Sequence, residues 1–182
     1  AGIASIAWRP RRTSLEQVGL TYSNSFTIRL ANGTDDALSP SEVRVVKAWT
    51  TTQFYKAFNG LGVLLVEGAQ LPRRVDVLDD CCAGDAGWTL GWDTKVNYGA
   101  VAYRAREYAG ARPRAEVVAG IGRGLGSLIA HEVAHQYVPG EVHDLADPST
   151  YDHHMPIRSA TKFYGEPYWT PIMVELLRRR LA

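Results

Sequence analysis

The sequence predicts an α+β fold: a twisted mixed sheet packed with two long helices, above a small irregular C-terminal lobe that ends in a helix. Three observations carry this expectation. Short apolar or alternating stretches in the first half read as strands. Two long stretches bear helix start and stop signals. After Pro139 the chain turns loop-rich until about Pro167, then closes in a basic helix.

A chain of 182 residues fits one domain, taken here as 1–182 with lobes at about 1–139 and 140–182. Apolar residues at 46% and charged residues at 21% exclude wholesale disorder. With 20 basic and 19 acidic side chains, no global field exists to hold nucleic acid. Arg9–Arg12 and Arg178–Arg180 read as solvated patches. No apolar run approaches the ~18 residues of a membrane helix. Ala1–Thr13 lacks the apolar core of a signal peptide and reads as a possible remnant of a longer precursor. A monomer is expected.

The elements follow in order. Phe26, Ile28 and Leu30 alternate at the end of a strand-like stretch from Thr21, and Asn32-Gly33 makes a turn. Ser39, Pro40 and Glu42 form a capping box with proline in the first helical turn. That helix runs through Val45, Val46, Trp49, Phe54 and Phe58 and stops at Asn59-Gly60, with Thr50–Thr52 weakening it locally. Strands are expected at Gly62–Val66 and Arg74–Leu78. Asp79–Gly87 reads as an acidic loop; a calcium site on Asp79, Asp80 and Asp85 is the sharper alternative. Trp88, Trp92 and Tyr98–Tyr103 read as aromatic strand material at a sheet edge. A second helix is expected from about Glu116 to Val138. Gly120, Gly122, Gly124 and Gly126 suggest a late start and close backbone packing, and their spacing fails the dinucleotide fingerprint. Thr170–Leu181 forms the last helix. Cys81 and Cys82 are adjacent and read as free thiols, with a vicinal disulfide as the alternative.

All five histidines lie between 131 and 154. His131-Glu132-Val133-Ala134-His135 is an H-E-x-x-H motif on the second helix, where positions i and i+4 share a face. Two imidazoles can then address one metal ion, and Glu132 stands beside it to take a proton from water. Uncharged residues surround the motif, as a buried helix requires. Gly140 and His143 follow, in the run HEVAHQYVPGEVH.

This run resembles the metzincin clan of zinc endopeptidases, whose pattern is H-E-x-x-H-x-x-G-x-x-H with a later methionine turn. It departs by two extra residues before Gly140, so the helix must end differently, at Pro139. Met155, 12 residues after His143, resembles the methionine of that turn. The resemblance implies a zincin/metzincin-like fold over about Thr21–Ala182. It implies one catalytic Zn2+ on His131, His135 and His143, and Glu132 as general base. It implies a protein or peptide substrate, secretion, and substrate pairing along the Tyr98–Tyr103 edge. Tyr151, His153, His154 and Tyr164 are candidates to polarise the carbonyl, and Arg158 to favour an acidic side chain. Alternatives stay open for the third ligand: His154, or a carboxylate from Glu141, Asp144, Asp147, Glu166 or Glu175. An inactive zinc-binding module of the same fold is a further alternative.

Overall fold

The computed structural model describes residues 15–29, 32–68, 70–140 and 143–182. The readings placed on Ala1–Thr13, Arg9–Arg12, Leu30 and Glu141 lie outside these described residues. The architecture is α+β around one five-stranded mixed sheet.

Strand β1 (Glu16–Ser23) buries Val18 and Leu20 and lies between two parallel neighbours. These are β4 (Val63–Glu67) and β5 (Arg74–Leu78), so that Val18 stands opposite Leu65 and Leu20 opposite Val75. On the far side of β5 comes β7 (Asp93–Asn97), also parallel. One edge is β6 (Gly87–Leu90), which runs antiparallel to β7, and the other is β4. A separate hairpin joins β2 (Thr27–Arg29) to β3 (Asp35–Ala37), and Gly33 supplies the left-handed turn conformation at φ +80°.

Helix α1 (Pro40–Ala57) forms as its signals predict. The Ser39 hydroxyl accepts from the Glu42 N–H, and the Glu42 carboxylate accepts from the Ser39 N–H at 2.9 Å. The Thr50 hydroxyl donates back to the Val46 carbonyl, so the threonine run stays within the helix.

Tyr98–Tyr103 is not a sheet edge. These residues open helix α2 (Tyr98–Glu107), whose Asn97 side chain accepts from the Ala100 N–H. The buried residues Tyr98, Val101, Ala102 and Ala105 recur at helical spacing, and that period outweighs the aromatic content. The edge strand lies earlier, in β6, within what reads from sequence as loop and aromatic flank.

Helix α3 (Arg114–Tyr137) starts early and runs through all four glycines. They serve two faces. A Cβ at Gly122 would meet the Val46 carbonyl oxygen at 2.5 Å, and one at Gly126 the Thr50 carbonyl oxygen at 2.5 Å. Both therefore let α3 approach the backbone of α1. On the other side, Gly120 faces the Tyr164 ring and Gly124 the Phe163 ring, both carried by α4 (Thr161–Tyr164). The C-terminal lobe ends in α5 (Pro171–Leu181), capped by the Thr170 hydroxyl and buried through Met173 and Leu177.

The cysteines are not free thiols: Cys81 and Cys82 are disulfide-bonded to each other. The turn that brings them together places Cys82 at φ +70° and Ala83 at +50°. Among the described residues, no helix is long and apolar enough to cross a membrane.

Gly126→Ala should destabilise the protein by about 1–3 kcal/mol through overpacking against α1. This should occur even though alanine is the better helix former by roughly 1 kcal/mol. Urea unfolding of the two proteins measures the difference.

Candidate metal centre

The last turns of α3 place His131 and His135 one helical turn apart on the same face. The helix ends at Val138, and Pro139 cannot continue it. Gly140 then takes φ +112°, a conformation side chains oppose, and the chain swings back. This turn returns His143 to the two helical histidines, despite the two extra residues. The His131 and His143 rings lie parallel with centroids 5.3 Å apart, and His135 stands edge-on to both at 4.8 and 4.9 Å.

The His135 Nε2 lies 3.2 Å from the His131 Nε2 and 3.1 Å from the His143 Nε2. Ligand atoms about 2.0–2.1 Å from a tetrahedral ion stand roughly 3.3 Å apart, so the spacing suits one. The donor set also fits. The Tyr151 carbonyl lies 2.7 Å from His131 Nδ1 and can only accept, so Nδ1 carries the proton and Nε2 presents a lone pair. Burial, reinforced by His135, holds His131 well below the usual histidine range. A buried imidazole kept neutral is the form that binds a metal. The three histidines could therefore hold a metal ion; among the described residues they form the one such group of three or more potential ligands.

The Glu132 side chain packs against β6. Its carboxylate accepts from the Thr89 hydroxyl at 2.7 Å, and the same hydroxyl reaches the Glu132 backbone carbonyl. A Cβ at Gly87 would stand 2.5 Å from Glu132 Oε1, so the strand leaves room there only because it has glycine. Burial pushes the Glu132 carboxyl up to about 7, with the Thr89 hydrogen bond opposing and Asp85 adding to the rise. Glu132 and the three histidines line one cleft of about 880 Å³. Trp88, Trp92, Met155 and Arg158 also line it.

The remaining sequence candidates fall elsewhere. Met155 and His154 line the cleft, but His154 is outside the imidazole cluster. His153 is buried, its Nδ1 accepting from the Met155 N–H. The Tyr151 hydroxyl is held by Gln53 from α1, and the Tyr164 hydroxyl donates to the Ala105 carbonyl. Glu166 pairs with Lys56 and Glu175 with Arg179. Asp144 and Asp147 accept from the N–H groups of their own loop. None of these four carboxylates joins the histidines. Asp79 accepts from the Ser25 N–H, and Asp80 from the Asn97 side chain. Sequence reasoning missed Gly87, Thr89 and the Tyr151 carbonyl. Only Gly87 left a signal, a glycine inside a strand.

No protein-family profile matches the chain, and no curated protein matches it. Among solved structures, its fold is similar to a chain of the GM1 bound form of the ECX AB5 holotoxin. The TM-score is 0.50 at 13% identity, over 91% of this chain and 80% of that one. At this identity the likeness concerns the fold alone.

The fold class is corrected accordingly. The motif led to a zincin/metzincin-like fold, whereas the match is with a holotoxin chain. The fold is therefore assigned by that match and by its own topology, as α+β with the sheet order β4-β1-β5-β7-β6. The physical reason is plain: H-E-x-x-H constrains one helix and a later histidine constrains one loop. Neither dictates strand order.

Adding a divalent metal ion that the three histidines bind should raise the melting temperature of the metal-free protein, by an amount equivalent to about 4 kcal/mol at a thousandfold excess over Kd. His135→Ala should abolish that rise. Differential scanning fluorimetry with and without metal measures both.

Proposed function

We propose that this protein is a zinc-dependent metalloendopeptidase. One observation carries the reading. Three imidazole nitrogens converge in an open cleft, and the residue between the two helical histidines is a buried carboxyl that lines the same cleft. A purely structural metal site has no use for such a carboxyl group.

In this reading His131, His135 and His143 hold the zinc. When bound, zinc acts as a Lewis acid that acidifies water and polarises a carbonyl. Glu132 accepts the proton of the attacking water and returns it to the leaving amine. The Thr89 hydroxyl, also bonded to Thr94, holds one carboxylate oxygen in place. An extended peptide would run along the outer edge of β6, using its backbone groups, with Trp88 and Trp92 beside it. That edge replaces the Tyr98–Tyr103 segment, whose backbone is spent within a helix.

Glu132→Ala should keep its zinc and lose about 10²–10⁴-fold in peptide hydrolysis. Hydrolysis at the wild-type rate with zinc retained would remove the mechanism. Chelation should abolish activity and zinc should restore it. Zinc content by elemental analysis should fall in His143→Ala and stay at the wild-type level in Glu175→Ala; the reverse ranking would move the third ligand to a carboxylate.

Gly87→Ala probes the support of Glu132. The new methyl group must displace the carboxylate, and a shift of about 1 Å can cost on the order of 10²-fold in rate. Steady-state kinetics should show that loss in kcat at unchanged zinc content.

A further inference from the structure

Lys162 is 1% exposed, one of the largest fully buried side chains in the molecule. Among the described residues no carboxylate lies within ion-pairing distance of it. The nearby Asp152 is itself occupied, accepting from the Thr170 N–H and hydroxyl. A buried, unpaired ammonium costs several kcal/mol, whereas methionine would fill the same volume without that cost. Burial pushes the Lys162 amine down to about 7, against the opposing pull of Asp152, Asp147 and Asp144. In either protonation state the nitrogen still donates.

Its one hydrogen bond shows where that donor goes. Nζ donates to the Thr150 carbonyl and lies 5.5 Å from the centre of the Tyr151 ring. Among the described residues the only other donor to that carbonyl is the His153 N–H, at 3.4 Å. The next carbonyl along the chain, that of Tyr151, accepts the His131 Nδ1 proton at 2.7 Å. Tyr151 is gripped from the remaining sides: its N–H donates to the Tyr168 carbonyl at 2.7 Å, and its hydroxyl accepts from Gln53. Lys162 is itself anchored to α3, because its backbone carbonyl accepts from the Ser127 hydroxyl one turn before His131.

We propose that Lys162 is a positioning residue of the metal centre. By holding the Thr150 carbonyl, it aims the Tyr151 carbonyl that keeps the proton on His131 Nδ1 and leaves Nε2 for the metal. The role of Lys162 is indirect: it touches neither the imidazoles nor the cleft. The inference rests on the metal reading proposed above.

The test compares metal-free wild type with Lys162→Met. Zinc affinity is measured by competition with a chromophoric chelator, ligand geometry by the visible spectrum of bound Co2+, and stability by thermal unfolding without metal. The variant should bind zinc about 10–100-fold more weakly, the scale of losing an outer partner of a metal-binding histidine. Its Co2+ spectrum should shift, and its metal-free melting temperature should match or exceed that of the wild type, since a buried charge has been removed. A variant that melts lower yet binds zinc as the wild type does would assign Lys162 to fold stability alone and overturn the proposal. Equal affinity with unchanged Co2+ spectra overturns it whatever the melting temperature. Should Lys162→Met fail to fold, Lys162→Gln carries the same comparison, its amide being one atom too short to reach Thr150. A wild type that binds no zinc at all would instead remove the metal reading on which this inference stands.

Discussion

Helix α3 is buried along nearly its whole length, and glycine at every second position from 120 to 126 makes that burial possible. Gly122 and Gly126 face the backbone of α1, and Gly120 and Gly124 face the aromatic rings of α4. Each would otherwise hold its neighbour off by the width of a methyl group or more, and close-packed interiors do not absorb such a gap. The intrinsic cost of glycine in a helix, up to about 1 kcal/mol each, is offset by the contacts that close approach permits. The placement of His131 and His135 depends on it, because they follow the last of these glycines, Gly126, on the same helix.

The imidazole cluster joins two parts of the chain that also meet through apolar packing and through hydrogen bonds such as Ser127 to Lys162 and Gln53 to Tyr151. His131 and His135 belong to the central helix, and His143 to the first described stretch of the C-terminal lobe. The Tyr151 carbonyl, from deeper in that lobe, reaches back to the first histidine. The adjacent Glu132 is held at the edge of the sheet, where Thr89 and the absent side chain of Gly87 receive it.

The parts legible in the sequence were those specified locally. The capping box of α1, the histidines at i and i+4, and the Gly140 turn each depend on a few neighbouring residues, and each reads directly. The four carboxylates that compete for the third position and are described here have other partners, a fact about tertiary contact that spacing alone could not supply. Aromatic composition misled at Tyr98–Tyr103, where the helical recurrence of Tyr98, Val101, Ala102 and Ala105 was the better guide. The motif misled on fold class because it governs one helix and a loop, whereas strand order is set by pairings across the whole chain. Lys162 is invisible to such reading: nothing around it in sequence distinguishes a buried lysine from a surface one.

Strand β6 has only four residues and lies at the end of the sheet order, with Trp88 and Leu90 exposed. An edge of this kind is open to any chain able to extend the sheet, including another copy of the same protein. Its brevity limits that hazard, since a few hydrogen bonds cannot hold two copies together unaided. The strand is also cut off by the turn at Gly91, where Trp92 is pinned by the Arg73 guanidinium 4.9 Å from its ring centre, with Tyr137 on a second side of the same cation. Self-association and the peptide binding proposed above would therefore draw on the same short row of backbone groups, and its length would favour a partner that gains additional hold from the cleft.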